Sequence, residues 1–433
     1  MIRRTVIAVM ATAFLGLLGF VVLSWRPAIA PVERPNPASF TAESISKGEV
    51  LAAVGHCVSC HTRPGGQPFA GGYGVNTPFG IIYGSNITPD PKTGIGLWSL
   101  EAFARAMREG IARDGSHLFA AFPYNVYTGL WDEDVKALYA YLMTRPPVSA
   151  TVPANSVPFP LSIRSLEEGW KILFFRSERY RPDPAKSEEW NRGAYLAQAL
   201  SDCEGCHTPR NALGALKARD PYAGATIDGW VAPALTEANP SPVPWTQGEL
   251  FSYLRTGVGA LHGATAGPMT PVIRGGLSAV PDADNRALAI YFADIDHADA
   301  REPAVQAAVS RALATSPLGS GQEYDPDARL YAAACIGCHY NAGPTPLPTR
   351  PELALNSALT LHEPTNFIQV VLKGVSHTEG ASGLVMPGYA SALTDADIAR
   401  LAGYLRRTRT DRPPWTDVEK KVDSILQNPA TSQ

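Results

Sequence analysis

Apolar residues are distributed along this chain in three ways, each predicting a different element. The first is an unbroken block. Thr5 to Trp25 carries no charge over 21 residues and follows Arg3 and Arg4. As a helix it spans roughly 30 Å, the thickness of a bilayer's hydrocarbon core, and it exceeds the apolar region of a secretory signal. Ala28-Ile29-Ala30 has the small-x-small form of a cleavage site, but Pro31 directly after it disfavours cleavage. A retained transmembrane anchor is therefore expected over residues 1–26, with a cleaved signal as the alternative. Arg3 and Arg4 put the N-terminus in the cytoplasm and everything beyond Arg26 on the far side, the periplasm of a bacterium. Residues 27–42 are Pro-rich without period and read as a tether.

The second pattern is a three- and four-residue recurrence that predicts amphipathic helices, and it occurs in three sets. Each set opens on a short helix, over Ser46–Gly55, Trp190–Leu200 and Asp327–Ala334. A second helix follows over Ser99–Gly110, Thr246–Gly257 and Pro364–Gly374, stopped each time by Arg or Lys and then Gly. Thr246 and Glu249 form a candidate capping box. A closing helix begins at Asp132, Asp282 and Asp395, with acids in the first turn where the helix dipole favours them. The repeat divides the chain into segments 43–147, 188–300 and 325–411. Linkers 148–187 and 301–324 and a tail 412–433 complete it. The third pattern lies in the first linker, where Phe159, Leu161, Trp170, Leu173, Phe174 and Phe175 are too apolar for free solvent. They pack between domains or dock on a partner subunit.

Cysteine chemistry gives the repeat its meaning. All six cysteines fall in three Cys-x-x-Cys-His motifs: Cys57, Cys60 and His61; Cys203, Cys206 and His207; Cys335, Cys338 and His339. Two thiols at this spacing add across the two vinyl groups of a haem, and the adjacent His presents its imidazole to the iron. A disulfide framework leaves the His unexplained, and a zinc site lacks a nearby fourth ligand. Three covalently bound haem c groups are expected. The order of haem motif, helix, methionine loop and closing helix predicts an all-α chain of three tandem class I cytochrome c domains behind a transmembrane helix. A net charge of −3 argues against a nucleic-acid partner.

Electron-transfer haems need a sixth ligand. Met269, in Gly267-Pro-Met-Thr, and Met386, in Leu384-Val-Met-Pro-Gly, lie in loops before the closing helix and are expected on the distal side of the second and third irons. The first segment has Phe122 at the equivalent place, and phenylalanine cannot ligate iron. Alignment of the second helices near their terminal Gly sets Met107 against Leu254 and Leu372, which makes Met107 the candidate distal ligand of the first haem. His117 as ligand and an open five-coordinate iron are the alternatives. His56, His262, His297, His362 and His377 are expected at the surface or on haem propionates.

Several segments carry a family resemblance: Thr77-Pro-Phe-Gly80, Asn86-Ile-Thr-Pro-Asp90, Arg113-Asp-Gly-Ser-His117, Asp134-Val-Lys-Ala-Leu-Tyr-Ala-Tyr-Leu142, Trp190-Asn-Arg-Gly-Ala-Tyr195 and Cys206-His-Thr-Pro-Arg-Asn211. Through them the chain resembles the triple-haem cytochrome c subunits of membrane-bound periplasmic dehydrogenases. The resemblance implies an electron relay with no substrate turnover of its own, from a dehydrogenase catalytic subunit to ubiquinone or a terminal oxidase. Phe122, with His117 upstream and the anchor, looks most like subunits paired with molybdenum hydroxylases acting on aldehydes or N-heteroaromatics, complexes that also hold an iron–sulfur subunit. Subunits of quinoprotein alcohol dehydrogenases and flavin-dependent gluconate-type dehydrogenases are the alternative. A haem peroxidase or reductase using an open first haem is a distant rival, and a haem-based gas sensor a more distant one.

Overall fold

The computed structural model describes residues 2–316, 324–348, 350–376 and 385–427. His377 and Leu384, both singled out in the sequence, lie outside these residues. The N-terminal block forms one helix, Ile2–Ser24, with its aliphatic side chains exposed. It is long and apolar enough to cross a membrane.

Three sets of helices follow in the same order. Ala42–Val54, Glu188–Ala199 and Pro326–Ala334 each lead into a Cys-x-x-Cys-His motif. Leu100–Glu109, Gln247–Thr256 and Thr365–Lys373 are the second helices. Asp132–Thr144, Asp282–Ile295 and Asp395–Arg409 close each set. First and closing helices cross closely. A Cβ at Gly48 would run into the Ala137 carbonyl, and one at Gly193 into the Ala287 carbonyl. In the third set the small Ala328 is fully buried beneath Ile398 and Leu401 in one core.

The helix ends follow local chemistry. Ser99, Thr246 and Thr394 accept backbone N–H bonds at the N-termini. The box expected at Thr246 is only half formed. Glu249 turns away to accept from the Leu261 N–H at 2.9 Å and to pair with His262 Nδ1 at 3.2 Å. The complete capping box is at Thr394 and Asp397. At the C-termini, Gly110, Gly257 and Gly374 donate to Ala106, Tyr253 and Val370. These bonds align Met107 with Leu254 and Val371, so Leu372 stands one residue beyond the expected register.

The all-α expectation omits four two-stranded antiparallel hairpins found among the described residues. Gly74–Thr77 pairs with Gly80–Tyr83, and Ala225–Ile227 with Trp230–Ala232. The second turns at Asp228-Gly229, both with positive φ, as a two-residue hairpin loop requires.

The chain divides into two compact units, Met1–Arg181 with Gln198–Asp202, and Pro182–Ala197 with Cys203–Gln433. In the first, the segment expected as a tether is strapped to the fold. Ile29 N donates to Arg113 O at 2.8 Å, Val32 N to Leu97 O at 3.1 Å, and Arg34 to Met143 O at 2.7 Å. In the second, residues expected as linker and tail are helical. Val305–Thr315 buries Ala308, Val309 and Ala312 against Val243, Ala354 and Leu355. Val418–Gln427 adds Val418, Val422 and Ile425 to the core holding Tyr331 and Tyr404. The same unit joins the second and third sets. The Asn366 amide accepts from Val231 N and donates to Val231 O, both at 2.8 Å, and Gln369 donates to Gly229 O at 3.1 Å.

Candidate haem-binding sites

Each cysteine motif forms a short helical turn, over Cys57–Cys60, Cys203–His207 and Ile336–His339. Left-handed residues, His56 at φ 37° and Asp202 at φ 49°, bend the chain into the first two motifs. None of the six cysteines is joined in a disulfide. Burial, with the neighbouring Cys60, pushes the Cys57 thiol up to about 12, and burial with Cys338 pushes Cys335 up to about 11. Thioether formation with vinyl groups uses cysteines that are not tied up in disulfides.

The three histidines share one geometry. His61 Nδ1 lies 2.7 Å from Ser85 O, His207 Nδ1 2.7 Å from Pro233 O, and His339 Nδ1 3.1 Å from Pro351 O. A carbonyl oxygen can only accept, so each Nδ1 carries the ring proton and each Nε2 keeps its lone pair. Burial holds all three imidazoles below their usual pKa, in the neutral form that binds metal. Orientation of a ligating His through its other nitrogen is the expected outer-shell arrangement. The donor set fits a haem attached through Cys57 and Cys60, Cys203 and Cys206, or Cys335 and Cys338, with iron at the adjacent Nε2. Ser85, Pro233 and Pro351 are positioning residues that carry no side-chain signal. The first two follow the hairpins Gly80–Tyr83 and Trp230–Ala232 in sequence, so the hairpins deliver their carbonyls.

The candidate distal residues sit in different settings. Met386 lies on the short strand Val385–Met386, packed against the same core as Cys335 and Ile336. Met269 opens the turn Met269–Arg274 just after Gly267, whose left-handed backbone lies against the Trp230 indole. Met107 is buried on Leu100–Glu109, at the level of the buried Leu254 and Val371. Phe122 is half-buried, its ring 5.4 Å from that of Tyr127. Tyr127 is within electrostatic reach of Cys57 and Cys60, which places Phe122 near the first motif.

The structure commits His117 elsewhere. Its side chain is buried, Nε2 lies 2.7 Å from Ser24 O, and Nδ1 lies 3.2 Å from Lys171 Nζ. Both ring nitrogens are engaged, so neither a bis-histidine first haem nor a distal acid–base role has a free His117 to draw on. His262, expected at the surface or on a propionate, is also buried, stacked on Trp245 with ring centroids 3.6 Å apart.

Comparison with known proteins agrees with this geometry. Residues 45–146 match the family described as Cytochrome c, and residues 322–405 match "Cytochrome C oxidase, cbb3-type, subunit III". Over 97% of its length the chain is 43% identical to a nicotinate dehydrogenase subunit of Pseudomonas putida, but it spans only 35% of that protein. It is 38% identical to the fructose dehydrogenase cytochrome subunit of Gluconobacter japonicus, covering 86% of this chain and 80% of that one. Against the gluconate 2-dehydrogenase cytochrome c subunit of Pantoea cypripedii it is 34% identical, covering 89% and 90%. The three Cys-x-x-Cys-His motifs, the oriented histidines and these relatives together place the chain in the family of cytochrome c subunits of dehydrogenases, electron carriers that serve a separate catalytic chain.

Proposed function

We propose that this chain carries three covalently bound haem c groups in three tandem cytochrome c domains and relays electrons through them at a membrane surface. Cys57, Cys60, Cys203, Cys206, Cys335 and Cys338 attach the haems. His61, His207 and His339 are the proximal ligands, Met269 and Met386 the distal ligands of the second and third irons, and Met107 the distal ligand of the first. The haem iron supplies the one-electron redox chemistry; the protein supplies axial ligation, burial and spacing. The observation that carries the reading is the hydrogen bond from Nδ1 to a backbone carbonyl, made three times, which leaves each Nε2 unprotonated.

The electron donor in this reading is a dehydrogenase catalytic subunit of the molybdenum type with an iron–sulfur subunit, acting on an aldehyde or an N-heteroaromatic. The similarity to a nicotinate dehydrogenase subunit supports that choice over quinoprotein or flavin partners. The acceptor is ubiquinone or a terminal oxidase. The helix Ile2–Ser24 anchors the chain in a bacterial inner membrane, with the haem domains in the periplasm. Pyridine haemochrome assay and intact mass should both give three haems per chain, and substitution of each His should alter one third of the haem spectrum. Two equivalents, or haem extractable by acid acetone, would overturn the reading.

A further inference from the structure

The helix Glu167–Phe174 is built inside out. Glu168 and Lys171 are its buried residues, while Ile172 is 52% exposed and Leu173 61% exposed. Leu166, one heptad before Leu173 and so on the same face, is 40% exposed. A water-facing helix has the opposite arrangement, with apolar residues inward and charges outward. The preceding loop extends the apolar surface with Phe159, Leu161 and Ile163, of which Phe159 is 81% exposed.

The inward charges fix this helix to the end of the membrane helix. Glu168 pairs with Arg26 at 2.9 Å. Lys171 Nζ donates to Gly110 O at 3.0 Å and to His117 Nδ1, whose Nε2–H reaches Ser24 O. At Gly169 a Cβ would meet the Phe20 ring at 3.7 Å, ordinary van der Waals contact. Phe20 lies four residues before the end of the Ile2–Ser24 helix, about 6 Å along its axis. Trp25, 69% exposed, stands beside this joint at the level where interfacial tryptophans anchor membrane helices.

We propose that Glu167–Phe174 and the loop before it lie in the bilayer interface, with Leu166, Ile172 and Leu173 in the headgroup–acyl boundary. The proposal rests on the reading of Ile2–Ser24 as a membrane anchor. With that helix in a bilayer, an element packed beside Phe20 sits about one turn below its end, within the ~5–10 Å depth that interfacial helices occupy. Lipid therefore covers the apolar face, and the first haem domain is held with this face down on the membrane. A docked protein is the competing occupant, and the contact with Phe20 counts against it.

The test places p-benzoylphenylalanine at position 173, 14 or 136 of the full chain in native membranes. Photolysis and mass spectrometry then identify the adducts. Position 14 lies within the anchor, and Lys136 is exposed on the Asp132–Thr144 helix. Phospholipid adducts at 173 and 14 but not at 136 are expected. Lipid at 14 with a polypeptide adduct, or no adduct, at 173 overturns the inference and leaves the anchor standing. No lipid at 14 or 173 overturns both. Equal lipid capture at all three positions shows no preferred face and also overturns the inference.

Discussion

The helix Glu167–Phe174 follows the first haem-motif segment, and the helix Val305–Thr315 follows the second, yet the two present opposite faces to the protein. Val305–Thr315 turns Ala308, Val309 and Ala312 inward and leaves Gln306, Ser310 and Arg311 in solvent. Glu167–Phe174 turns Glu168 and Lys171 inward and leaves Ile172 and Leu173 outside. Buried apolar side chains hold the first arrangement; charges bonded to Arg26, Gly110 and His117, with Trp170 set edge-on to Tyr124, hold the second. The difference teaches that a connecting segment is organised by whatever lies on its two sides. One helix separates two packed haem-motif segments from water, while the other stands between a haem-motif segment and the N-terminal apolar helix.

The largest expected effect breaks the comparison directly. Val309→Asp puts an unpaired charge among Val243, Ala308 and Leu355 and should cost about 3 kcal/mol or more. Leu173→Asp in the detergent-solubilised chain should change stability by no more than about 0.5 kcal/mol. Thermal unfolding followed by circular dichroism measures both. Equal destabilisation would mean that Leu173 is covered by the protein's own packing, and the inside-out description would fail.

Lys171→Met tests what replaces the apolar core on the other side. The ammonium donates to Glu109 O, Gly110 O and His117 Nδ1, and the buried acceptors lose that donor on substitution. The cost should be about 1–3 kcal/mol, with faster amide exchange from Gly110 to His117. Unchanged exchange would show that the polar joint contributes little.

These residues also show where the sequence was legible. The three motifs, the three second helices and the three closing helices were readable because cysteine spacing and helical period are local. The turn Asp228-Gly229 between apolar residues carries a hairpin signal of the same local kind, although the haem repeat reads as all-α. Ser85, Pro233 and Pro351 were not readable, because they act through backbone carbonyls at sequence separations of 24, 26 and 12. By its place in the loop, His117 reads as a ligand candidate. Its partners come from residues 24 and 171, which no local pattern connects to it. The linker and tail helices are not legible because their apolar stripes are short and acquire meaning only against Leu355 or Tyr404.

A pH scan sharpens the comparison further. Burial lowers the His117 pKa from its ordinary value, so below about 6.5 the unfolded chain binds a proton that the folded site resists. Stability from this group is present above 6.5 and is lost as pH falls toward the folded pKa. Burial pushes Lys171 down to about 8, so between about 8 and 10.5 the unfolded chain again holds the extra proton and stability rises with pH. Each contributes a slope of at most about 1.4 kcal/mol per pH unit in its window. Amide exchange near Gly110 should follow both slopes, and exchange in Val305–Thr315, where Ala308, Val309 and Ala312 are the buried residues, should follow neither. Identical pH profiles for the two regions would remove the distinction.

A small effect on stability carries the most specific spectroscopic outcome. Met107→Leu conserves volume at a buried helical site and should cost less than about 1.5 kcal/mol. The cap bonds from Gly110, Gly257 and Gly374 place Met107 level with Leu254 and Val371, so the first segment has a thioether where the others have hydrocarbon. Phe122, near Tyr127 and the first motif, stands in the sequence where the other segments have Met269 and Met386, so in the proposed ligation the first iron's ligand comes from another element. Met107 is unbranched and adaptable, so a thioether there would serve the proposed first iron without a change of fold. In the haem-loaded chain, Met107→Leu should convert one haem of three to high spin and remove one share of the methionine–iron charge-transfer absorption. His117→Ala should leave that absorption unchanged, because its ring serves Ser24 and Lys171. A Met107→Leu spectrum identical to wild type, with one ferrous haem already binding carbon monoxide, would show an open first iron. The two halves of the molecule would then differ in coordination number as well as in ligand position.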